Sequence, residues 1–149
     1  MSEPVTAGPI EGHCLCGAVS IRVAHTDDAR PGVCHCRLCQ RWSGALFACF
    51  AVPADAVSVA GEIARYASSS FAERAFCPTC GSHLWMRDTK EPGDDYELMP
   101  GLFDAARDWP LRSEIYSDRA LASVPLAGDH PRATRAEFEA EYPFVEGDD

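Results

Sequence analysis

Apolar and polar residues alternate along Ala18-Val19-Ser20-Ile21-Arg22-Val23, the period of a half-buried strand. A short apolar run over residues 45–52, ended by Pro53, and Val57-Ser58-Val59 after it predict two more strands. Residues 64–67, 73–76, 83–86 and 112–116 read as short extended segments, punctuated by Gly61, Gly81, Pro92-Gly93 and Pro110. Helix signals are few. Thr134 is placed to cap a short acidic helix reaching Glu141, which Pro143 ends, and residues 36–42 predict a single turn. The pattern therefore predicts a mostly β fold of short antiparallel strands in one domain over residues 10–145. Residues 1–9 and the acidic residues 146–149 lack periodicity and are expected to be flexible tails.

Composition narrows the function classes. A chain of 149 residues with 46% apolar content can bury one core and is short for two. Asp and Glu number 23 against 13 Lys and Arg, and the net charge of −10 disfavours a nucleic-acid backbone or an anionic membrane as partner. No stretch of roughly 18 apolar residues is present, and the first twelve residues lack a secretory pattern, so a cytoplasmic location is expected. In that reducing compartment eight cysteines call for an explanation other than disulfides, and metal binding is the leading one.

Seven of those cysteines fall into three groups: Cys14 and Cys16; Cys34, Cys36 and Cys39; and Cys77 and Cys80, followed by Gly81. A C-x-x-C turn lets two thiolates reach one tetrahedral zinc, and glycine after the second cysteine supplies the positive φ that tightens it. A C-x-C pair at a strand edge directs both sulfurs to one face. These two pairs would close a four-thiolate structural site between an early strand and the hairpin over residues 76–85. Cys34, Cys36 and Cys39 would then form a second site with a fourth position open to water or an outside ligand, as in catalytic zinc. Spacing alone also permits a ribbon of Cys36, Cys39, Cys77 and Cys80, with Cys14, Cys16 and Cys34 left over.

The stretches Gly12-His13-Cys14-Leu15-Cys16-Gly17-Ala18-Val19, Cys34-His35-Cys36-Arg37-Leu38-Cys39 with Ser43-Gly44, and Phe76-Cys77-Pro78-Thr79-Cys80-Gly81-Ser82 closely resemble the glutathione-dependent formaldehyde-activating enzyme family, which includes centromere protein V domains. The resemblance covers roughly residues 12–116. It implies a β-rich fold of the Mss4-like type and two zinc ions per chain. Cys14, Cys16, Cys77 and Cys80 match the family's structural ligands, and Cys34, Cys36 and Cys39 match its second site. It also implies an activity: condensation of formaldehyde with glutathione to S-hydroxymethylglutathione, in reverse a carbon–sulfur lyase reaction. Glutathione would then be a co-substrate and the partner a small-molecule thiol or its aldehyde adduct. Gln40-Arg41-Trp42 departs from the family, which often has a basic pair there.

The remaining candidates are weighed on their surroundings. His35 is a candidate proton donor, although both neighbours being ligands would turn its side chain away from the metal. Arg37 and Arg41 flank Cys39 and are candidates for the carboxylates of a thiol co-substrate. Cys49 lies in an apolar run and is expected to pack in the core, His83 is expected to be a plain strand residue, and Trp42 is the tryptophan best suited to a substrate wall. The acidic residues Glu91, Asp94, Asp95 and Glu97 read as a solvated loop. A second reading remains open, a non-catalytic zinc-stabilised binding or thiol-sensing module in which Cys49 or His83 completes the second site.

Overall fold

The computed structural model describes residues 2–90 and 95–145. Eleven short strands, two short α-helices and four 3-10 helices are found among them. Strands β1 (Ile10–His13), β2 (Ser20–Val23) and β5 (Val57–Ala60) form a three-stranded antiparallel sheet with β2 in the middle. The larger sheet has eight strands. Across it run β11 (Arg132–Ala133), β10 (Ser113–Ile115), β3 (Gly32–Cys34), β4 (Phe47–Val52), β9 (Tyr96–Leu98), β8 (His83–Asp88), β7 (Ala72–Phe76) and β6 (Ala64–Ala67). The antiparallel expectation holds except at β10, which runs parallel to both β3 and β11.

Alternation along the strands explains how the sheets meet. The inward residues Val19, Ile21 and Val23 of the small sheet join Phe50, Val52, Ala75, Trp85 and Leu98 of the large one in a single buried core. Phe50 sets its ring edge-to-face against Phe103 and Trp109, closing one end of that core. The opposite face of the large sheet is thereby left for other use. It carries Phe47, Cys49 and Ala51 of β4, Glu97 of β9, Met86 of β8 and Arg74 of β7. Register aligns four of these, Ala51, Glu97, Met86 and Arg74, in one row across four strands.

Two helices cover that face. Helix α1 (Arg37–Ser43) follows Cys36, whose sulfur accepts a hydrogen bond from the Cys39 amide, and stops at Gly44 with φ +90°. Helix α2 (Arg135–Glu141) begins at Thr134, the cap that the sequence predicts, and the structure adds a complete capping box with Glu137. No helix among the described residues is long and apolar enough to cross a membrane.

Residues 2–9 differ from the expected flexible tail. The chain is fastened along the domain by paired backbone bonds between Ala7 and Thr26 and by the Ala29 amide donating to the Val5 carbonyl. Arg30 forks onto Asp28 and also donates to the Ser2 carbonyl at 2.6 Å. The segment has too few apolar residues to show periodicity, yet its backbone groups find partners, and periodicity reports only side chains. Residues 146–149 lie outside the described residues.

The Arg30 side chain beside Asp28 holds that carboxyl down at about 2. Because the folded pKa lies below the unfolded one, the contribution is present above about pH 4 and lost as pH falls toward 2. Replacing Asp28 with Asn is expected to cost on the order of 1 kcal/mol at pH 7 and nothing near pH 2. Denaturant unfolding at the two pH values measures this, and hydrogen exchange at the Val5 and Ala7 amides should quicken in the variant.

Candidate metal centres and the adjoining cavity

Each cysteine pair sits in a hairpin turn. Cys14 and Cys16 lie between β1 and β2, and Cys77 and Cys80 between β7 and β8. In both turns the glycine after the second cysteine donates its amide to the first cysteine's carbonyl, Gly17 to Cys14 and Gly81 to Cys77. Both glycines have positive φ, +81° and +78°, a conformation that side chains with a Cβ rarely adopt. The C-x-C pair is thus a turn past the strand end rather than a strand edge, and the turn itself aims both sulfurs the same way. The two hairpins meet where the Leu15 amide donates to the Ser82 hydroxyl at 3.0 Å.

The four sulfurs converge within 4.8 Å of one another, with 3.6 Å between Cys14 and Cys16 and 3.8 Å between Cys16 and Cys77. Those separations far exceed a disulfide bond of about 2.05 Å. They match the spacing of roughly 3.8 Å expected for thiolates around a tetrahedral ion at about 2.3 Å. Donors already point at the sulfurs: the Val19 amide at Cys14 and the Ser82 hydroxyl at Cys80. The Ser82 hydroxyl and the Ser82 and Cys16 backbone draw the Cys80 thiol down to about 5. The convergence of the four sulfurs therefore suits a metal cation, and the ribbon pairing of Cys36 and Cys39 with Cys77 and Cys80 is not formed.

Cys34 at the end of β3 and Cys36 and Cys39 at the start of α1 form a second cluster within 4.8 Å. No fourth His, Cys, Asp or Glu among the described residues joins it. Taken as thiols, the three favour one ionisation. Hydrogen bonds from Cys34 and Cys39 draw Cys36 down to about 3, aided by the Cys39 amide and the charge of Arg74.

A cavity of about 420 Å³ adjoins this cluster. Its floor is the free face of the large sheet, and Gly32 leaves open the position between Ser113 and Cys49. The roof comes from the chain's end: Phe138, Tyr142, Phe144 and Val145 line it. Their rings contact one another and Phe71 in a series of edge and tilted pairs, and the Tyr116 hydroxyl holds α2 by donating to Glu139 at 2.8 Å.

Several candidates fall elsewhere. His35 is buried and turned from the cavity, its Nε2 donating to Glu114 at 2.7 Å, as alternation between two ligand residues requires. Arg37 and Arg41 lie exposed on α1 and do not line the cavity, because the helix turns Leu38 and Cys39 inward instead. Trp42 also lies outside the cavity, packed on His83, Phe76 and Tyr66. Cys49 and His83 stay outside the three-sulfur cluster. Cys49 lines the cavity and donates to Glu97 at 3.5 Å; burial, then the Glu97 charge, pushes its thiol well up.

Glu97 is a correction. Grouped by sequence with a solvated acidic loop, it lies in β9 on the cavity floor, where burial raises its carboxyl to about 7 against the opposing bond from Cys49. Glu91 and Asp94 lie outside the described residues. Arg74 and Glu114 also escape sequence reading. Glu114 accepts from His35 and His130 and pairs with Arg132 at 3.0 Å; burial opposes its ionisation, but the two histidine bonds outweigh it and keep the carboxyl below its usual range. The register places Arg74 and Glu97 on one face of the sheet with Met86 between them, and the helices enclose that face.

The model of the family described as glutathione-dependent formaldehyde-activating enzyme matches residues 9–119. The chain belongs to that family. Among curated proteins it is similar to an uncharacterized lyase of Schizosaccharomyces pombe, 39% identical over 80 residues, covering 53% of this chain and 58% of the relative. A Halomonas elongata protein, provisionally named a glutathione-dependent formaldehyde-activating enzyme, is 30% identical over 92 residues, covering 56% and 59%. The match thus spans less than two thirds of either relative. A Rhodobacter sphaeroides protein of known crystal structure shares the fold with a TM-score of 0.53 at 24% identity, over 83% of this chain and 99% of that one. The aromatic roof lies beyond the family-matched span.

A carbon-13 NMR titration is expected to find the Glu97 carboxyl ionising near pH 7 rather than at the usual 4.5. A raised carboxylate pKa means that burial costs stability above the unfolded value, increasingly up to about pH 7. Replacing Glu97 with Gln should therefore stabilise the fold at pH 8 and leave it unchanged near pH 4, as thermal unfolding would record.

Proposed function

We propose that this chain is a zinc-dependent enzyme of carbon–sulfur lyase type, acting on the adduct of a glutathione-type thiol with an aldehyde, S-hydroxymethylglutathione being the simplest. The observation that carries the reading is the three-sulfur cluster of Cys34, Cys36 and Cys39, which has no fourth ligand among the described residues and opens beside a cavity. The separate cluster of Cys14, Cys16, Cys77 and Cys80 is read as a structural zinc site. Zinc held by the three cysteines would supply a Lewis-acidic position at which an incoming thiol loses its proton.

The chain's own groups supply the rest. In the lyase direction the carbon–sulfur bond breaks with its electron pair on sulfur, the adduct's hydroxyl becomes the aldehyde carbonyl, and the hydroxyl proton needs an acceptor. Glu97, ionising near neutrality on the cavity floor, suits that transfer and its reversal. Arg112 lines the cavity and would take the part expected of Arg37 and Arg41 as partner for a substrate carboxylate. The aromatic roof limits water at the reacting atoms.

Purified protein carrying two zinc ions should accelerate exchange between glutathione and its formaldehyde adduct in NMR exchange spectra. Cys36→Ser should lower that rate by at least the roughly 10- to 100-fold that loss of an outer-shell partner costs. Exchange no faster than in buffer, at full zinc loading, would exclude formaldehyde as the aldehyde.

A further inference from the structure

Arg74 is a cation in an unusual setting. Its side chain extends from β7 into the cavity wall and is only 2% exposed. Among the described residues it makes no ion pair with a carboxylate. Nε donates to the Ser68 hydroxyl at 3.0 Å, Nη2 to the Cys39 sulfur at 3.5 Å, and Nη1 is buried without a partner. The guanidinium carbon lies 5.0 Å from the Phe47 ring centre and 5.7 Å from that of Trp42. Aromatic faces cover it from solvent but do not cancel its charge. Burial of an unmatched cation is strongly unfavourable, so the matching anion must be close. The three-cysteine cluster is what it touches.

The charge count shows what this accomplishes. Three thiolates around a dication sum to −1, and Arg74 brings the assembly to zero. A fourth ligand that is itself a thiolate then leaves −1 in a buried setting, whereas without Arg74 it would leave −2. Cys36 and Cys39 are both buried, so water screens little of that difference. In the four-cysteine cluster Cys16 is exposed, and solvent can moderate the charge there. We propose that Arg74 is the counter-charge of the three-cysteine centre and raises the affinity of its fourth position for anionic sulfur while leaving that for neutral ligands nearly unchanged. This rests on the metal reading above and adds a residue that favours one ligand class at the centre. It acts through charge on the cluster, as a positioning residue.

The full-length protein loaded with two equivalents of cobalt(II) tests this through visible absorption, where sulfur-to-cobalt bands report the fourth ligand. The probes are 2-mercaptoethanol as the thiol and imidazole as the neutral ligand. R74M is expected to weaken thiol binding by about 10-fold or more while changing imidazole binding by less than about 3-fold. R74K, which keeps the charge, should stay within about 3-fold of the unsubstituted protein for both. Thiol affinity unchanged in R74M, or R74K as impaired as R74M, would overturn the proposal. Should R74M fail to hold cobalt even in the four-cysteine cluster, R74Q replaces it with the same expected result, and R74Q binding the thiol as tightly as the unsubstituted protein overturns the proposal. An unsubstituted protein that takes up one cobalt only overturns the metal reading and the proposal with it.

Discussion

The junction of the β1–β2 and β7–β8 turns at four sulfurs is the constraint on which the rest of the structure depends. It ties the small sheet to the large one at the edge of their shared core, with Cys14 and Cys77 wholly buried there. Once the small sheet is fixed against one face of the large sheet, the other face cannot be covered by it and must be closed by the helices. Cys34, at the end of β3 and beside Phe47 of β4, then meets the first turn of α1 and forms the second cluster. A closed site thus shapes the fold, and an open cluster is the result of where that fold leaves a face free.

The chemistry proposed for the three-cysteine cluster rests on two buried ionisable groups, Arg74 and Glu97. Arg74 and Glu97 share a row on the cavity floor with Met86 between them. One is a buried cation whose guanidinium donates to the Cys39 sulfur, the other a carboxyl that burial raises to about 7. The two act on different atoms of the proposed reaction, the sulfur and the hydroxyl oxygen. The roof is a separate contribution. Aromatic residues after position 135 enclose the cavity outside the span that the family model matches, so the family-matched span holds both cysteine clusters while residues 138–145 shape the volume above the second.

Much of this was legible in the sequence. Strands β2, β4, β6, β7 and β8 announce themselves by alternation or by turn residues at their ends, and Thr134 marks the start of α2. The cysteine spacing and the family resemblance named both clusters, while the structure removed the ribbon alternative by bringing Cys14 and Cys16 to Cys77 and Cys80. The three-residue strands β3, β9 and β10 were harder. Only residues 112–116 gave a signal; Gly32–Cys34 and Tyr96–Leu98 are too short to show a period. For that reason Glu97 read as loop rather than cavity floor. Arg37 and Arg41 failed for the opposite reason: nearness in sequence to Cys39 puts them on the helix's outer side, whereas Arg74, 35 residues away, reaches Cys39 through strand pairing.

Zinc-edge X-ray absorption of the purified protein measures the central claim, one closed and one open centre, most directly. With four sulfurs at one ion and three at the other, the account expects about 3.5 sulfurs per zinc at about 2.3 Å, the remainder a lighter atom near 2.0–2.1 Å, rising to about 4 when a thiol is added. Four sulfurs per zinc before any thiol is present, or a single zinc per chain, would contradict it.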